Sequence, residues 1–218
     1  MSNLSDMVGG ADMYGGANYT FTYDRFCSLN AAIYLNRGYL QVPPGIYFCG
    51  DFTTIFWIQN KIEIASDVRV LDFTNLLSGG RDDDITHYIQ ANTFYPAMEI
   101  WNRTSLSSFR PSYTLRSNTW YHIAFVSKQG TVSTFINGTK VASMTGMFEA
   151  NCVNRTYNRF GSTIWASNIY INAILDDMKI YKGALSENQI LNDFTLSSSN
   201  GSISLSIFFS ILKIKYFK

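Results

Sequence analysis

The chain is poor in the residues that usually announce chemistry. Its 218 residues include two histidines, three cysteines and four prolines, and only 15% are charged. His87 and His122 stand far apart, and no H-E-x-x-H, G-x-S-x-G, G-x-G-x-x-G or phosphate-binding loop occurs. Metalloprotease, serine-hydrolase and nucleotide chemistry therefore lack their motifs. Cys27, Cys49 and Cys152 contain no C-x-x-C pair, which speaks against a zinc knuckle or a redox motif. Glu63, Glu99, Glu149 and Glu187 are well separated, with no E-x-D-x-E strand to supply paired carboxylates for glycoside hydrolysis.

Charge of one sign is missing too. The net charge of +1 rests on Lys213, Lys215 and Lys218 in the tail, since the body up to Asp193 carries a small excess of acid. Such a body offers no phosphate-tracking surface, so nucleic acid is not an expected partner. No apolar run is long enough to span a bilayer. Ile203–Leu212 would reach about 15 Å as a helix, half the hydrocarbon core, although with its lysines it could touch a membrane interface. The start of the chain lacks the basic and apolar regions of a signal peptide, so the sequence reads either as cytosolic or as missing its true N-terminus.

Aromatic side chains are what the sequence has in abundance, at 16%, within a hydrophobic fraction of 46%. This composition excludes disorder for most of the chain and suits pleated, half-buried strands. Residues 1–18 are glycine-rich and read as loop. From Tyr19 to Tyr181 about a dozen short apolar or alternating runs recur between turn residues, the spacing of a sandwich or barrel. Thr131–Ser143 carries Asn137-Gly138 at its centre and predicts a hairpin with a type I′ turn. Ser186 with Gln189 forms a capping box that predicts a short helix over Glu187–Phe194. Residues 195–218 read as a Ser-rich linker and an apolar, basic tail. Six N-x-S/T sequons, at Asn3, Asn18, Asn102, Asn137, Asn154 and Asn200, lean toward a secreted glycoprotein.

Some residues invite a binding role. Trp120-Tyr121-His122-Ile123 places large side chains on both faces of one strand. One face enters the core. Tyr121 and His122 are the ligand-face candidates, one on each face, and the face that stays outside the core either lines a ligand surface or is covered by protein. Asp72 and Asp176 interrupt apolar strands, where a carboxylate must be hydrogen-bonded, paired or on a cation. Asp82-Asp83-Asp84 reads as a solvated loop without EF-hand spacing. Phe52, Phe56, Trp120, Ile123, Phe135, Leu175 and Ile180 are the expected core. Three cysteines fit either buried thiols or one disulfide. Cys27–Cys49 is the expected pair, because both flank one strand group while Cys152 lies in a polar loop.

Taken in order, Gly50-Asp-Phe-Thr-Thr-Ile-Phe-Trp-Ile, Val70-Leu-Asp-Phe, Asn118-Thr-Trp-Tyr-His-Ile-Ala-Phe-Val, Phe135-Ile-Asn-Gly-Thr-Lys-Val and Leu175-Asp-Asp-Met-Lys-Ile-Tyr-Lys-Gly-Ala-Leu-Ser resemble the laminin-G-like jelly roll of the concanavalin A-like lectin/glucanase superfamily. The resemblance implies an all-β, two-sheet antiparallel sandwich over residues 19–194 with one short C-terminal helix. It implies a non-catalytic, extracellular binding or adhesion module for a glycan, matrix or protein ligand. The alternatives are a glycan-active enzyme on the same fold and a purely structural part of a larger protein. It also implies a structural calcium, which carries over to Asp12 and Asp176. The family's first aromatic strand, which precedes that loop, is missing here.

Overall fold

The computed structural model describes residues 4–5, 10–61, 66–75, 83–103, 105–166 and 169–199. The apolar tail, with its expected membrane contact, and the sequons at Asn3 and Asn200 lie outside the described residues. Among the described residues, twelve strands precede one helix. They are β1 Tyr14–Thr22, β2 Ala32–Val42, β3 Phe52–Asn60, β4 Val68–Thr74, β5 Ile85–Ile89 and β6 Pro96–Asn102. Then follow β7 Ser105–Phe109, β8 Trp120–Lys128, β9 Thr131–Ile136, β10 Thr139–Thr145, β11 Tyr157–Phe160, β12 Ile171–Lys182 and the helix α1 Glu187–Ser198.

All pairings are antiparallel and run in the order β10-β9-β8-β3-β12-β2-β11-β4-β5-β6-β7, with β1 on the other side of β2. β2 is the fold line. Its first half pairs with β12 through Ile33–Gly38 and its second half with β11 through Leu40–Val42. One hydrogen-bonded ribbon thus doubles over into a first sheet ending at β10 and a second ending at β7. The bend falls at Arg37, whose φ is +50°. Beside it a Cβ on Gly38 would lie 2.2 Å from the carbonyl oxygen of Asn18, so only glycine lets β1 approach there.

Sequence patterning located most of these strands and the all-β class. Asn137 and Gly138 have φ of +50° and +76°, the mirror-turn geometry expected of the β9–β10 hairpin. The capping box at Ser186 is present, and the helix continues past Phe194 to Ser198, into the stretch expected as linker. Three expectations fail for physical reasons. The Gly-rich start is not loop throughout, because Gly15 and Gly16 lie within β1. A Cβ on Gly16 would sit 2.3 Å from the Tyr39 carbonyl, so this glycine serves close strand approach. β7 and β11 are too polar to stand out by alternation. Trp120 and Ile180 are only half-buried, whereas Phe52, Phe56, Ile123, Phe135 and Leu175 are buried as expected.

Between the sheets, Phe56, Ile58, Ile123 and Phe125 meet Leu71, Ile85, Met98 and Ile100 in one apolar cluster. His87 of β5 sits inside it, fully buried. Its ring stacks on Phe125 with centroids 4.6 Å apart, and its Nε2 lies 2.8 Å from Thr54 Oγ1 across the sandwich. On the outer face of the first sheet, Ile190 of α1 seals Ile55, Ala124, Val126 and Phe135.

The expected Cys27–Cys49 bond is corrected by the structure. Cys49 is bonded to Cys152, 103 residues away, and Cys27 is exposed and free. Cys152 reaches Cys49 because backbone bridges Gly45–Arg155 and Gly50–Ala150 lay the two loops side by side, a non-local pairing that strand grouping does not reveal. Next to the disulfide, the fully buried Arg155 donates from Nε to Asp83 O at 2.7 Å, from Nη1 to Phe48 O at 3.1 Å and from Nη2 to Asn151 O at 3.3 Å. Burial pulls its pKa down to about 10, against the opposing pull of Asp83 and Asp84.

Two outcomes are expected. Closing so long a loop is worth about 4–5 kcal/mol in the chain-entropy model. Cys49→Ser with Cys152→Ser should therefore lower the denaturation midpoint strongly, whereas Cys27→Ser should leave it in place. Burial also drives the His87 pKa from 6.5 down to about 3. The unfolded chain then takes up a proton that the fold refuses. The stability contribution is full above pH 6.5 and is lost as pH falls toward 3. Urea melts from neutral pH to about pH 4.5 should show that decline, and His87→Phe should flatten it. An unaltered slope in the variant would remove His87 as its source.

Candidate functional site

A sandwich offers two outer faces, and here they differ. On the first sheet the outward side chains of β3 and β8 are covered by α1. Trp57 stacks on Phe194 with centroids 5.8 Å apart and donates from Nε1 to Ser197 Oγ at 3.0 Å. His122 is fully buried beneath the same helix, with Nε2 3.0 Å from Asp193 Oδ1, and Lys179 Nζ reaches Asp193 Oδ2 at 2.7 Å. Burial raises the Asp193 pKa, but the His122 bond and the Lys179 charge outweigh it and hold it below the usual value. Tyr121 points inward, where its hydroxyl accepts from the Arg116 amide at 3.1 Å. Neither Tyr121 nor His122 meets solvent, so the expected ligand face is corrected: one side of β8 is core and the other is helix-covered.

The second sheet alternates the same way, but among the described residues no helix lies on its outer face. Leu71, Phe73, Ile85, His87, Met98 and Ile100 turn inward, leaving Asp72, Thr86, Tyr88, Glu99 and Trp101 on the outside. Strand register aligns Arg159, Asp72, Thr86, Glu99 and Ser108 into one polar row across five strands. A second row holds Arg69, Tyr88 and Ala97. The inner members are buried: Asp72 is 2%, Thr86 1%, Tyr88 1% and Glu99 6% exposed.

Burial on an outer face requires a covering layer, and flat cationic or aromatic groups supply it. Arg110 donates from Nε to the Tyr88 hydroxyl at 2.6 Å and from Nη2 to Glu99 Oε1 at 3.4 Å. The Arg69 guanidinium lies 5.0 Å from the Tyr88 ring centroid, and that of Arg159 lies 4.7 Å from Tyr39. The Trp165 indole donates to Asp84 Oδ2 at 3.2 Å, and Thr86 Oγ1 donates to Asp84 Oδ1 at 3.2 Å. Burial and the Glu99 charge raise the Tyr88 pKa. Trp101, Trp165, Tyr39, Arg69 and Arg159 are half-buried and Arg110 is exposed, so indole and guanidinium groups contribute to the accessible surface. Such a surface can stack on an apolar ring face and donate to its oxygens.

Asp83 and Asp84, expected in a solvated loop, are 4% and 1% exposed. Asp83 adopts φ of +55°, and its carboxylate accepts from Asn75 at 3.4 Å and from Asn151. Asp176 lies buried in β12, where Arg25 pairs with it and with Asp177, the latter at 2.7 Å. Burial first and Asp177 second raise the Asp176 pKa, and Arg25 opposes them. Asp12 is exposed in the segment before β1. That segment does reach β12, since Met13, Leu175 and Met178 line one small cavity of about 10 Å³. Among the described residues no group of three or more His, Cys, Asp or Glu is arranged to hold a metal ion. Sequence reasoning missed Arg69, Arg110, Arg159, Trp101 and Trp165. The signal that could have found the face is the polar residue alternating inside apolar strands: Arg69 and Asp72, Thr86 and Tyr88, and Glu99.

Comparison with curated proteins found no match. Among solved structures, the binding domain of Paraclostridial Mosquitocidal Protein 1 superposes with a TM-score of 0.67 at 19% identity, over 86% of this chain and 48% of that one. Domain 4 of AbnA, a GH43 extracellular arabinanase from Geobacillus stearothermophilus, gives 0.70 at 17% identity, over 87% and 92%. The binding domain of botulinum neurotoxin serotype G gives 0.68 at 16% identity, over 87% and 47%. The chain thus spans about half the length of the two toxin domains and nearly all of the arabinanase domain. A family model described as the Concanavalin A-like lectin/glucanases superfamily matches residues 35–191, the span that holds both sheets from β2 onward and the start of α1. The chain belongs to that superfamily.

Proposed function

We propose that this domain is a non-catalytic carbohydrate-binding module, and that it binds sugar on the outer face of the second sheet. One observation carries the reading. A half-exposed layer of Trp101, Trp165 and guanidinium groups accompanies a buried polar row, on the sheet face that no helix covers among the described residues. Sugar rings need an aromatic plane for their C–H face and fixed donors for their hydroxyls, and this layer holds both. The structural neighbours support it: the AbnA domain is described in complex with arabinotriose, and the binding domain of botulinum neurotoxin DC in complex with SialylT. An extracellular setting fits the Cys49–Cys152 bond, which persists in oxidising compartments. Glu99 is held by Arg110, an arrangement that suits a structural anion better than a proton donor.

A glycan array followed by calorimetry tests the reading. Trp165→Ala and Trp101→Ala are each expected to weaken the best glycan by about tenfold or more, with the melting temperature checked in parallel. Unchanged affinity in both variants would move the ligand elsewhere. Release of reducing ends during incubation would make the domain an enzyme.

Calcium held by Asp176 with Asp12 is proposed as an alternative partner to Arg25, which pairs with Asp176. Arg25→Ala should cost about 3–5 kcal/mol, because a buried carboxylate is left beside Asp177. Calcium is expected to raise the melting temperature of this variant more than that of the wild type. No rise in either protein would sink the calcium site.

A further inference from the structure

Within the proposed sugar-binding face, the surroundings of Tyr88 are unusual in charge. Two guanidinium groups share one ring, Arg69 at 5.0 Å and Arg110 at 5.8 Å from its centroid. One carboxylate, Glu99, pairs with Arg110 at 3.4 Å, and among the described residues Arg69 makes no ion pair. The side-chain hydrogen bond of Arg69 runs from Nη1 to the Asp67 carbonyl at 3.4 Å, and its Nε is buried without a partner. The Asp67 carboxylate is itself engaged by the Ala91 amide at 2.8 Å. Tyr88 is buried and its hydroxyl is taken by Arg110, so the ring serves as the platform on which two cations rest. An anion that reached the edges of both guanidinium groups would be held by both. Guanidinium forks match the two oxygens of a planar carboxylate or of a sulfate.

We infer that Arg69, Tyr88 and Arg110 form a subsite for the anionic group of an acidic sugar, with Trp101 and Trp165 left to take the rings. The shared chemistry is an oxyanion carried on a pyranose, whether a uronic-acid carboxylate or a sulfate ester. This inference rests on the reading that the second sheet's outer face binds glycan.

The test uses the full domain and three probes of equal length: trigalacturonate, a sulfated galactotriose and neutral galactotriose. At least one acidic probe is expected to bind ten times tighter than the neutral one or better, and which of the two it is separates carboxylate from sulfate. In Arg69→Gln with Arg110→Gln that preference should fall to near unity. The wild-type preference should also shrink with added salt, a measurement that needs no variant. Equal binding of acidic and neutral probes would overturn the acidic subsite while leaving the sugar-binding face intact. A salt-insensitive preference, or one kept by the double variant, would place the anion elsewhere. Failure of all three probes, together with a silent glycan array, would overturn both readings.

Discussion

A fully buried guanidinium sets the geometry from which the proposed binding face follows. Arg155 spends its donors on three backbone carbonyls, those of Phe48, Asp83 and Asn151, from loops far apart in the chain. A charge without solvent is tolerable only when every donor is met, so these loops have little freedom to move separately. The Cys49–Cys152 bond holds two of them covalently at the same point. Fixing the Asp83 carbonyl fixes the residue after it. Asp84 then presents its carboxylate to Trp165 and Thr86, which puts an indole over the second sheet. Core cation, loop and ligand platform are links of one chain of contacts.

The two sheets solve the same problem differently. Each has an outer face that pairing alone leaves open to water. The first hands it to α1, clamped at its C-terminal end by Trp57 and by Arg25 Nε, which donates to the Ser197 carbonyl at 2.8 Å. The second covers its face with long flat side chains, which shield the buried row and still show water an edge. Apolar sealing on one side and a polar, partly exposed layer on the other make the two outer faces of the domain chemically unlike.

The fold was far more legible in the sequence than the site, and the reason is periodicity. Alternation and turn chemistry act over a few residues, so β3, β8, the Asn137-Gly138 turn and the capped helix could be read directly. Register across a sheet is not local. Arg159 and Glu99 are sixty positions apart in sequence and share a row only because β11, β4, β5 and β6 pair in that order. Tyr121 and His122 looked like ligand residues because both faces of β8 are large, and a strand cannot announce that a helix will cover one of them. Cys152 lay in a polar loop in both readings. What sequence order hid was the loop lying against it.

The fold line at β2 governs how the protein must be made. β2 takes β1 from its own neighbourhood on one side, and on the other side β11 and β12 from the last third of the chain. A ribosome therefore releases β2 and β3 long before their inner partners exist. The first sheet stays split between β2 and β3 until β12 arrives, as Ala173–Asp176 and Lys179–Lys182 dock along β3. Contacts of such long sequence separation close slowly. During that interval the apolar strand Phe52–Asn60 has an open edge, the hazard of nascent β-proteins. Folding of this domain thus waits at its decisive step for β12, and the strand that completes the sheet runs directly into the helix that seals it.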